Sequence, residues 1–504
     1  MSASTHHDVA IVGYGPVGTL IALLLQKLGL SVAIIERDTE LCPFPRAAHF
    51  DDEIIRALQS VDLAHLIDDM EPPNVYEYFD KDWNKFLSRV FPKGQSDQGY
   101  AHDYMFFQPD VESAMRATLL AAPNPPTLLI GHEVLALVDT GGEVVVTVRD
   151  RAQGDESTLH ASYVIGADGA RSLVRKAMGS EYVEISPSNS WYIVDVKLIA
   201  DADPGWDQWE WCHPERCVTL VPLCGPYRRF EFDVKDGETA DQLTNLDFTW
   251  KLLEPWLKPG EAEILRRDVY QFHSLLADRW RSGRLLIAGD AAHLMSPKLG
   301  QGLCTGMRDA VNLAWKLARV VRGTAPDMLL DSYELERKPP AQQYVEISAF
   351  MVGEILGHAR SGAAAPAIEV EQIVLQRQKM GPDETRADDA LVGTLSRQPF
   401  LADGRHLDEA VGYRFALLVT PAAAAALDNE VRSGLDSLDT AVIVADHDPV
   451  AGYLADMGRE AILIRPDRYV AGSAVAADDV AAVVARAAAD YSGHAGNSGH
   501  PSGA

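Results

Sequence analysis

Apolar residues along this chain follow two rhythms. From Asp8 to Val12 a short apolar run reads as a buried strand, and Ser31 to Ile35 reads as a second. Between them Thr19 to Leu28 is spaced as a helix, with Gly29 placed to end it. A further helix is predicted over Asp51 to Ser60. Residues 72–104 lose this α/β rhythm and gain aromatics at Tyr76, Tyr78, Phe79, Trp83, Phe86, Tyr100 and Tyr104, which read as core. A helix over Val111 to Leu120 and a strand over Thr127 to Ile130 restore it. Glu143 to Val148 and Leu159 to Val164 alternate as antiparallel strands do. Residues 185–235 are rich in strands, at Trp191–Leu198, Cys217–Val221 and Arg229–Val234. Leu285 to Ile287 is a short buried strand, and Asn312 to Arg322 lies in a helical stretch. Residues 359–400 read as a loosely packed connection. Strands at Arg414–Thr420, Thr440–Val444 and Ala461–Ile464 then form a separate α/β unit, before a tail from about Tyr491 rich in Gly, Ser and His that is expected to be disordered.

The first strand–helix–strand unit holds the stretch VGYGPVG. Gly13, Gly15 and Gly18 have the G-x-G-x-x-G spacing of a dinucleotide-binding turn, with Pro16 and Val17 as cofactor-binding candidates inside it. The first glycine permits the tight turn, the second lets backbone approach a pyrophosphate, and the third lets helix and strand pack closely. The positive helix end would face the phosphates. Glu36, followed by Arg37, closes the second strand, where a carboxylate accepts hydrogen bonds from a ribose.

Two more stretches bear on what such a dinucleotide does. In VIGADGARSLVRKAMG (Val164–Gly179) a strand ends at Gly166–Gly169, with Asp168 and Arg171 at the entry to a helix. In GRLLIAGDAAHLMSPKLGQGLCTGMRDAVNLAWKL (Gly283–Leu317) a strand leads to Gly289–Asp290, and a second turn, Gly300–Gln301–Gly302, leads to a long helix. Asp290 suits the hydroxyls of a sugar alcohol. The Gly300–Gly302 turn offers N–H donors, at a helix N-terminus, to a planar heterocycle that becomes anionic when reduced.

Composition narrows the partners. The chain has 504 residues, 47% hydrophobic, enough for two or three domains. Its 45 Lys and Arg against 73 Asp and Glu leave a net charge of −28, which argues against nucleic acid or an anionic membrane as the main partner. No apolar run approaches a membrane span, and no signal-like segment precedes the first strand. Five cysteines without a C-x-x-C argue for a reduced cytoplasmic setting, with no disulfide framework and no metal site. Cys212, Cys217 and Cys224 read as ordinary packing, His293 as structural, and His6 and His7 as a solvated terminus.

The three glycine-bearing motifs together resemble the flavin-dependent aromatic hydroxylases, single-component FAD monooxygenases of the para-hydroxybenzoate hydroxylase type. The wording PRAAHFDDE (Pro45–Glu53) and GQGLCTGMRDAVNLAWKL is closest to the 3-(3-hydroxyphenyl)propionate hydroxylase branch. Cys304 stands where many relatives carry Asn. Gly412–Thr420 and Ile462–Gly472 resemble the thioredoxin-like extension of phenol and polyketide hydroxylases. The resemblance implies an α/β fold, with a Rossmann-like FAD-binding domain (1–71, 105–180, 271–360) and an inserted antiparallel-sheet substrate domain (72–104, 181–270). A connection (361–400), a thioredoxin-like domain (401–490) and the tail (491–504) would follow.

It also implies roles. Gly13, Gly15, Gly18 and Glu36 hold the ADP half of FAD. Arg46 reaches the ribityl–phosphate region, Gln108 and Asp290 the ribityl chain, and Asp168 serves both FAD and NAD(P)H. Pro297 and Gly300–Gly302 line the isoalloxazine ring. NADH or NADPH binds transiently in a groove between domains, and a homodimer is the family's habit. The implied reaction is hydroxylation of a phenol with dioxygen through a flavin C4a-hydroperoxide, the cofactor carrying the hard step. A hydroxyphenylpropionate-like acid is the substrate class. The competing readings are a Baeyer–Villiger or polyketide-tailoring oxygenase and, from another class, a non-catalytic flavin-binding protein. Within the substrate region His49 reads either as a phenol contact or as a buried, hydrogen-bonded histidine. Tyr270 and Arg229 are pocket candidates, Arg229 either pairing with a substrate carboxylate or lying at the surface.

Overall fold

The computed structural model describes residues 6–199, 207–361, 389–446 and 449–492. The first apolar run forms the strand His6–Val12, which pairs in parallel with both Val32–Glu36 and Glu156–Gly166. His6 and His7 are therefore not a loose end. They pair with His160 and Ala161, and His7 is buried, because the parallel partner extends back past the apolar run. The sheet runs Arg281–Ser282, Leu285–Ile287, Glu156–Gly166, His6–Val12, Val32–Glu36, Thr127–Ile130. An antiparallel ribbon, His132–Asp139 and Val144–Asp150, joins it through the first half of Glu156–Gly166. The two central helices, Pro16–Lys27 and Gly302–Val321, meet where side chains are missing. A Cβ on Gly306 would stand 2.8 Å from Val17, and one on Gly289 3.1 Å from it.

A second eight-stranded sheet runs His293–Leu294, Ala262–Ala277, Tyr182–Leu198, Tyr227–Asp233, Val218–Pro222, Gln208–Trp211, Val75–Phe79, Lys85–Val90. All its pairings are antiparallel except Gln208–Trp211 with Val75–Phe79. Alternation divides its residues between two faces. Tyr192, Val194, Phe230 and Phe232 pack in the outer core, which also holds Leu253 of the helix Leu246–Leu253. Trp191, Ile193, Tyr76 and Tyr78 pack on the inner side with Leu299, and Met351, Ile355 and Leu356 join them. Those last three lie on the helix Asp331–Ser361, which carries two prolines and ties the two sheets together. The strand Ala262–Ala277 runs straight through the 270/271 division expected from sequence, because it stays paired with Tyr182–Leu198 along its length. Trp83 departs from the core reading of the aromatics: it is 44% exposed, stacked flat on Trp211.

The C-terminal unit expected to be thioredoxin-like is a mixed four-stranded sheet, Thr440–Val444, Phe415–Val419, Ala461–Ile464, Val470–Ala474. It carries no cysteine. Most of the expected connection, 362–388, and the tail from 493 lie outside the described residues.

Buried charges join this unit to the rest. Glu336 accepts hydrogen bonds from Lys316 (2.7 Å), Asn312 (2.8 Å) and both terminal nitrogens of Arg465 (2.9 and 2.7 Å). Arg56 donates to both oxygens of Asp408 (2.8 and 3.0 Å). Burial alone would raise these carboxyls, but the cations outweigh it and hold both below the ordinary range. A carboxyl depressed in the folded state contributes stability above its unfolded pKa and loses it as pH falls. Stability should therefore decline progressively below about pH 5. Glu336→Ala should cost about 3–5 kcal/mol, since it strands Lys316 and leaves Arg465 with Asp467 as its one remaining carboxylate, and should flatten that acid limb. Denaturant unfolding at pH 7 and pH 4 checks both, and an unchanged acid slope in the variant would remove Glu336 from the acid response.

Candidate functional site

The glycine turn sits where the two longest parallel strands end together. Gly13 has φ +105°, and a Cβ there would strike the Ala167 carbonyl, so the first and second motifs touch through backbone. A Cβ on Gly18 would strike the Gly13 carbonyl in the same way. The helix Pro16–Lys27 opens at Gly15 with no side-chain cap, so its leading N–H groups face outward for an anion. Glu36 accepts from the N–H of Tyr14 (2.8 Å) and of Asp38 (2.9 Å), which fastens the turn and leaves further lone pairs for hydroxyls. Arg37 points to solvent, 3.7 Å from Asp38.

The Pro45–Arg46 loop is gripped from two sides. The Gln108 carbonyl oxygen accepts from the N–H of Arg46 (2.8 Å) and Ala47 (2.7 Å), and its amide nitrogen donates to Glu112 (3.1 Å). Gln108 thus turns its carbonyl oxygen to this loop and its amide nitrogen to its own helix. Arg229 is neither a surface residue nor free for a substrate carboxylate. It is buried, donates to both Asp195 oxygens (2.7 and 3.2 Å) and binds the carbonyls of Pro45 and Arg46. Held so, Arg46 carries its guanidinium over Gly15, 4.0 Å from where a Cβ would stand.

Asp290 follows Gly289, whose φ is +61°. Its carboxylate has no hydrogen-bond partner among the described residues and is open to solvent, yet the surrounding protein raises its pKa, with His293 and Arg46 working the other way. A carboxylate that no protein donor occupies can accept hydrogen bonds from a ligand. His293 is structural: its Nε2 faces Asp309 (2.8 Å), which also accepts from Gly289 N–H (3.1 Å) and Arg337 (3.0 Å). Asp168 caps its own helix, one oxygen accepting from Leu173 (2.6 Å) and Val174 (3.3 Å), while the other is buried without a hydrogen-bond partner. Burial raises its pKa against those bonds.

The second glycine turn faces the substrate sheet. Pro297–Leu299 forms a short helical turn, and Gly300 reverses it at φ +67°. His49 is buried against this turn: Nδ1 lies 3.3 Å from the Gly300 carbonyl and Nε2 2.8 Å from Asp103, so both ring nitrogens already face acceptors. Gln301 donates to Asp51 (3.2 Å) and accepts from Arg308 (3.0 Å). Tyr270 lies opposite Trp191 in the sheet register, beside Phe272, and is 37% exposed. The structure therefore separates the three substrate-side candidates into one partly open ring, Tyr270, and two anchored groups.

Sequence reasoning passed over Lys298. It is buried, donates to Glu210 (3.1 and 3.3 Å) and Thr219 (2.5 Å), lies 3.5 Å from Glu231, and sits 4.0 Å over the Trp191 ring. Tyr76 donates to the same Glu210 (3.0 Å). Burial opposes the ammonium, but the two carboxylates outweigh it and raise its pKa. Glu210, more deeply desolvated, is the one whose pKa burial raises. The only sequence signal was a lysine inside an otherwise apolar and glycine-rich turn.

Comparison with known proteins places this geometry. The FAD binding domain family matches residues 6–348. A probable NADH-specific resorcinol 4-hydroxylase of Rhodococcus jostii (strain RHA1) is 32% identical over 380 residues, 75% of this chain and 71% of that protein. A 3-(3-hydroxy-phenyl)propionate/3-hydroxycinnamic acid hydroxylase of Mycobacterium sp. (strain JLS) is 30% identical over 520 residues, 94% of this chain and 90% of that one. Among solved structures, the flavin-dependent monooxygenase PieE in complex with FAD and substrate superposes with a TM-score of 0.81 at 20% identity, covering 96% of this chain and 99% of that one. Aklavinone-11 hydroxylase with FAD and aklavinone gives 0.79 at 22% identity, covering 96% and 99%. The structural likenesses establish the fold.

Lys298→Met should cost about 3–5 kcal/mol, because it leaves Glu210 and Glu231 buried without their cation. Adding Glu210→Gln should recover part of that loss. Chemical denaturation of the single and double variants checks the coupling, and strictly additive losses would show that the pair does not interact.

Proposed function

The chain belongs to the FAD binding domain family and is an FAD-dependent aromatic hydroxylase, and from that premise we propose that it uses NADH and dioxygen to hydroxylate a small phenol of the hydroxyphenylpropionate or resorcinol kind. The observation that carries the cofactor assignment is the recess itself. Backbone meets backbone at Gly13 and Gly18 where any Cβ would intrude, and Asp290 waits there without a donor beside the charge of Arg46. The residues fit FAD. The uncapped end of Pro16–Lys27 and Arg46 would take the pyrophosphate, Glu36 the adenosine ribose, and Asp290 the ribityl hydroxyls.

Bound FAD supplies the chemistry of hydride acceptance and of oxygen activation, ending with one oxygen atom on the ring. The protein's work is placement. The amides at Gly300–Gly302 and the end of Gly302–Val321 would face the heterocycle and stabilise negative charge on it. Trp191, Phe272 and Tyr270 offer an aromatic wall on the substrate side that excludes water. His49, tied to both Gly300 and Asp103, would hold that wall's distance from the turn rather than meet the phenol. The choice of NADH follows the Rhodococcus relative, which is named for it.

Purified protein should be yellow, should oxidise NADH faster than NADPH, and should do so faster with 3-(3-hydroxyphenyl)propionate or resorcinol present, giving a product heavier by one oxygen atom. Flavin uptake with no phenol-stimulated NADH oxidation would reject the substrate class, and no uptake of FAD would reject the site. Asp290→Asn should weaken FAD binding by about 10–100-fold, the worth of hydrogen bonds to a charged acceptor, measured by flavin fluorescence titration.

A further inference from the structure

The stretch RPDRY, Arg465–Tyr469, lies within the segment Ile462–Gly472 and has no part in the reaction described above. It is a tight turn: Arg465 N–H donates to the Tyr469 carbonyl (2.9 Å) and Arg468 N–H to the Arg465 carbonyl (2.9 Å). Arg468 adopts φ +71°, a conformation unfavourable for a residue with a side chain. It is held there by Asp408 (3.0 Å) and the Gly412 carbonyl (2.9 Å). The four polar side chains of the turn are buried, and all but Arg468 reach the FAD-binding unit. Arg465 reaches Glu336, and Asp467 reaches Asn312 and Trp315. Tyr469 donates to Glu53 (2.7 Å), 416 residues away along the chain.

That last bond continues. The other oxygen of Glu53 accepts from Arg308 Nε (2.7 Å). Arg308 donates from Nη1 to the Gln301 side chain (3.0 Å) and from Nη2 to Asp51 (2.5 Å), which Gln301 also reaches (3.2 Å). Gln301 is the residue between Gly300 and Gly302. A row of three buried hydrogen bonds therefore runs from the C-terminal unit to the middle of the second glycine turn.

We infer that Tyr469 is a positioning residue for this turn, so that the C-terminal unit sets the geometry in which the flavin meets oxygen and substrate. The inference rests on the reading that Gly300–Gly302 faces the isoalloxazine ring. Its physical basis is the carboxylate of Glu53. Held at both oxygens, it fixes the Arg308 fork in one orientation. Loss of the Tyr469 hydroxyl removes one of the bonds that fix this carboxylate, and with it part of the support of the guanidinium that grips Gln301. Tyr469→Phe removes one hydroxyl and keeps the ring's packing.

The test compares full-length wild type, Tyr469→Phe and Arg56→Met. The last cuts the interface ion pair to Asp408, which bonds Arg468 but none of Tyr469, Glu53, Arg308 and Gln301 among the contacts given above. In the flavin-free proteins, amide hydrogen exchange over residues 300–308 should be about 2–10-fold faster in Tyr469→Phe, the worth of one hydrogen bond, and unchanged in Arg56→Met. In the FAD-loaded proteins, Tyr469→Phe should shift the visible flavin absorption and release more peroxide per NADH consumed. Wild-type exchange rates in Tyr469→Phe would overturn the inference. Equal acceleration in both variants would also overturn it, since that is general loosening. FAD uptake by the wild type tests the reading of the turn separately, so failure there is distinct from failure of the relay.

Discussion

A guanidinium can be buried only if carboxylates come with it, and Arg308 shows what that requirement builds. Desolvating the ion costs several kcal/mol unless its donors are met. Asp51, Glu53 and Gln301 meet them, drawn from the segment after the second strand and from the turn itself. The turn needs such help. A reversal through Gly300 at positive φ makes few bonds of its own, and glycine has the most freedom to lose on ordering. Rigidity is supplied from outside, by a cation that must keep all its partners in place to stay buried.

The same arrangement recurs at the other loops of the cleft. Arg229, paired with Asp195, holds the carbonyls of Pro45 and Arg46. Asp309, set between His293 and Arg337, holds the N–H of Gly289. Lys298 pins the Pro297–Leu299 turn to the substrate sheet through Glu210. In each case a buried charged pair stands one layer behind a loop of the cleft and holds it in place. A site assembled this way is preorganised, so that binding need not supply the ordering free energy at the moment of reaction. It also explains a contrast in the charge distribution. The chain carries a net charge of −28, yet cations such as Arg229, Lys298 and Arg308 are inside, each with its acid. The acidic excess is left for the surface, and Arg46 brings a positive charge to the glycine turn.

What could be read from sequence follows from this layering. Gly13, Gly15, Gly18 and Glu36 were legible because the turn, helix and strand that use them lie within a few tens of residues, and their chemistry is local. Asp290 could be singled out because it follows directly on a strand and a glycine, a local pattern. Arg229 was misread because charged residues are seldom fully buried, and its burial depends on Asp195 on a neighbouring strand and on carbonyls 183 and 184 residues away. The partners of Gln108 and His49, Arg46 N–H and Gly300 O, could not be read, since they are set by how two separated segments cross. No periodicity encodes such crossings.

The C-terminal unit makes the point most sharply. Its strands were visible as apolar runs, since alternation and burial mark them one at a time. Its bearing on the cleft was not visible, because Tyr469 meets Glu53 only after both sheets have formed and docked. Charged and hydroxyl groups at that interface gain little until their partners arrive and lose much if buried without them. Docking is therefore specific in a way that apolar packing alone is not: one register satisfies Arg56, Arg465 and Tyr469 together. A unit with no dithiol chemistry of its own has, in those contacts, a physical means of acting on a turn it does not touch.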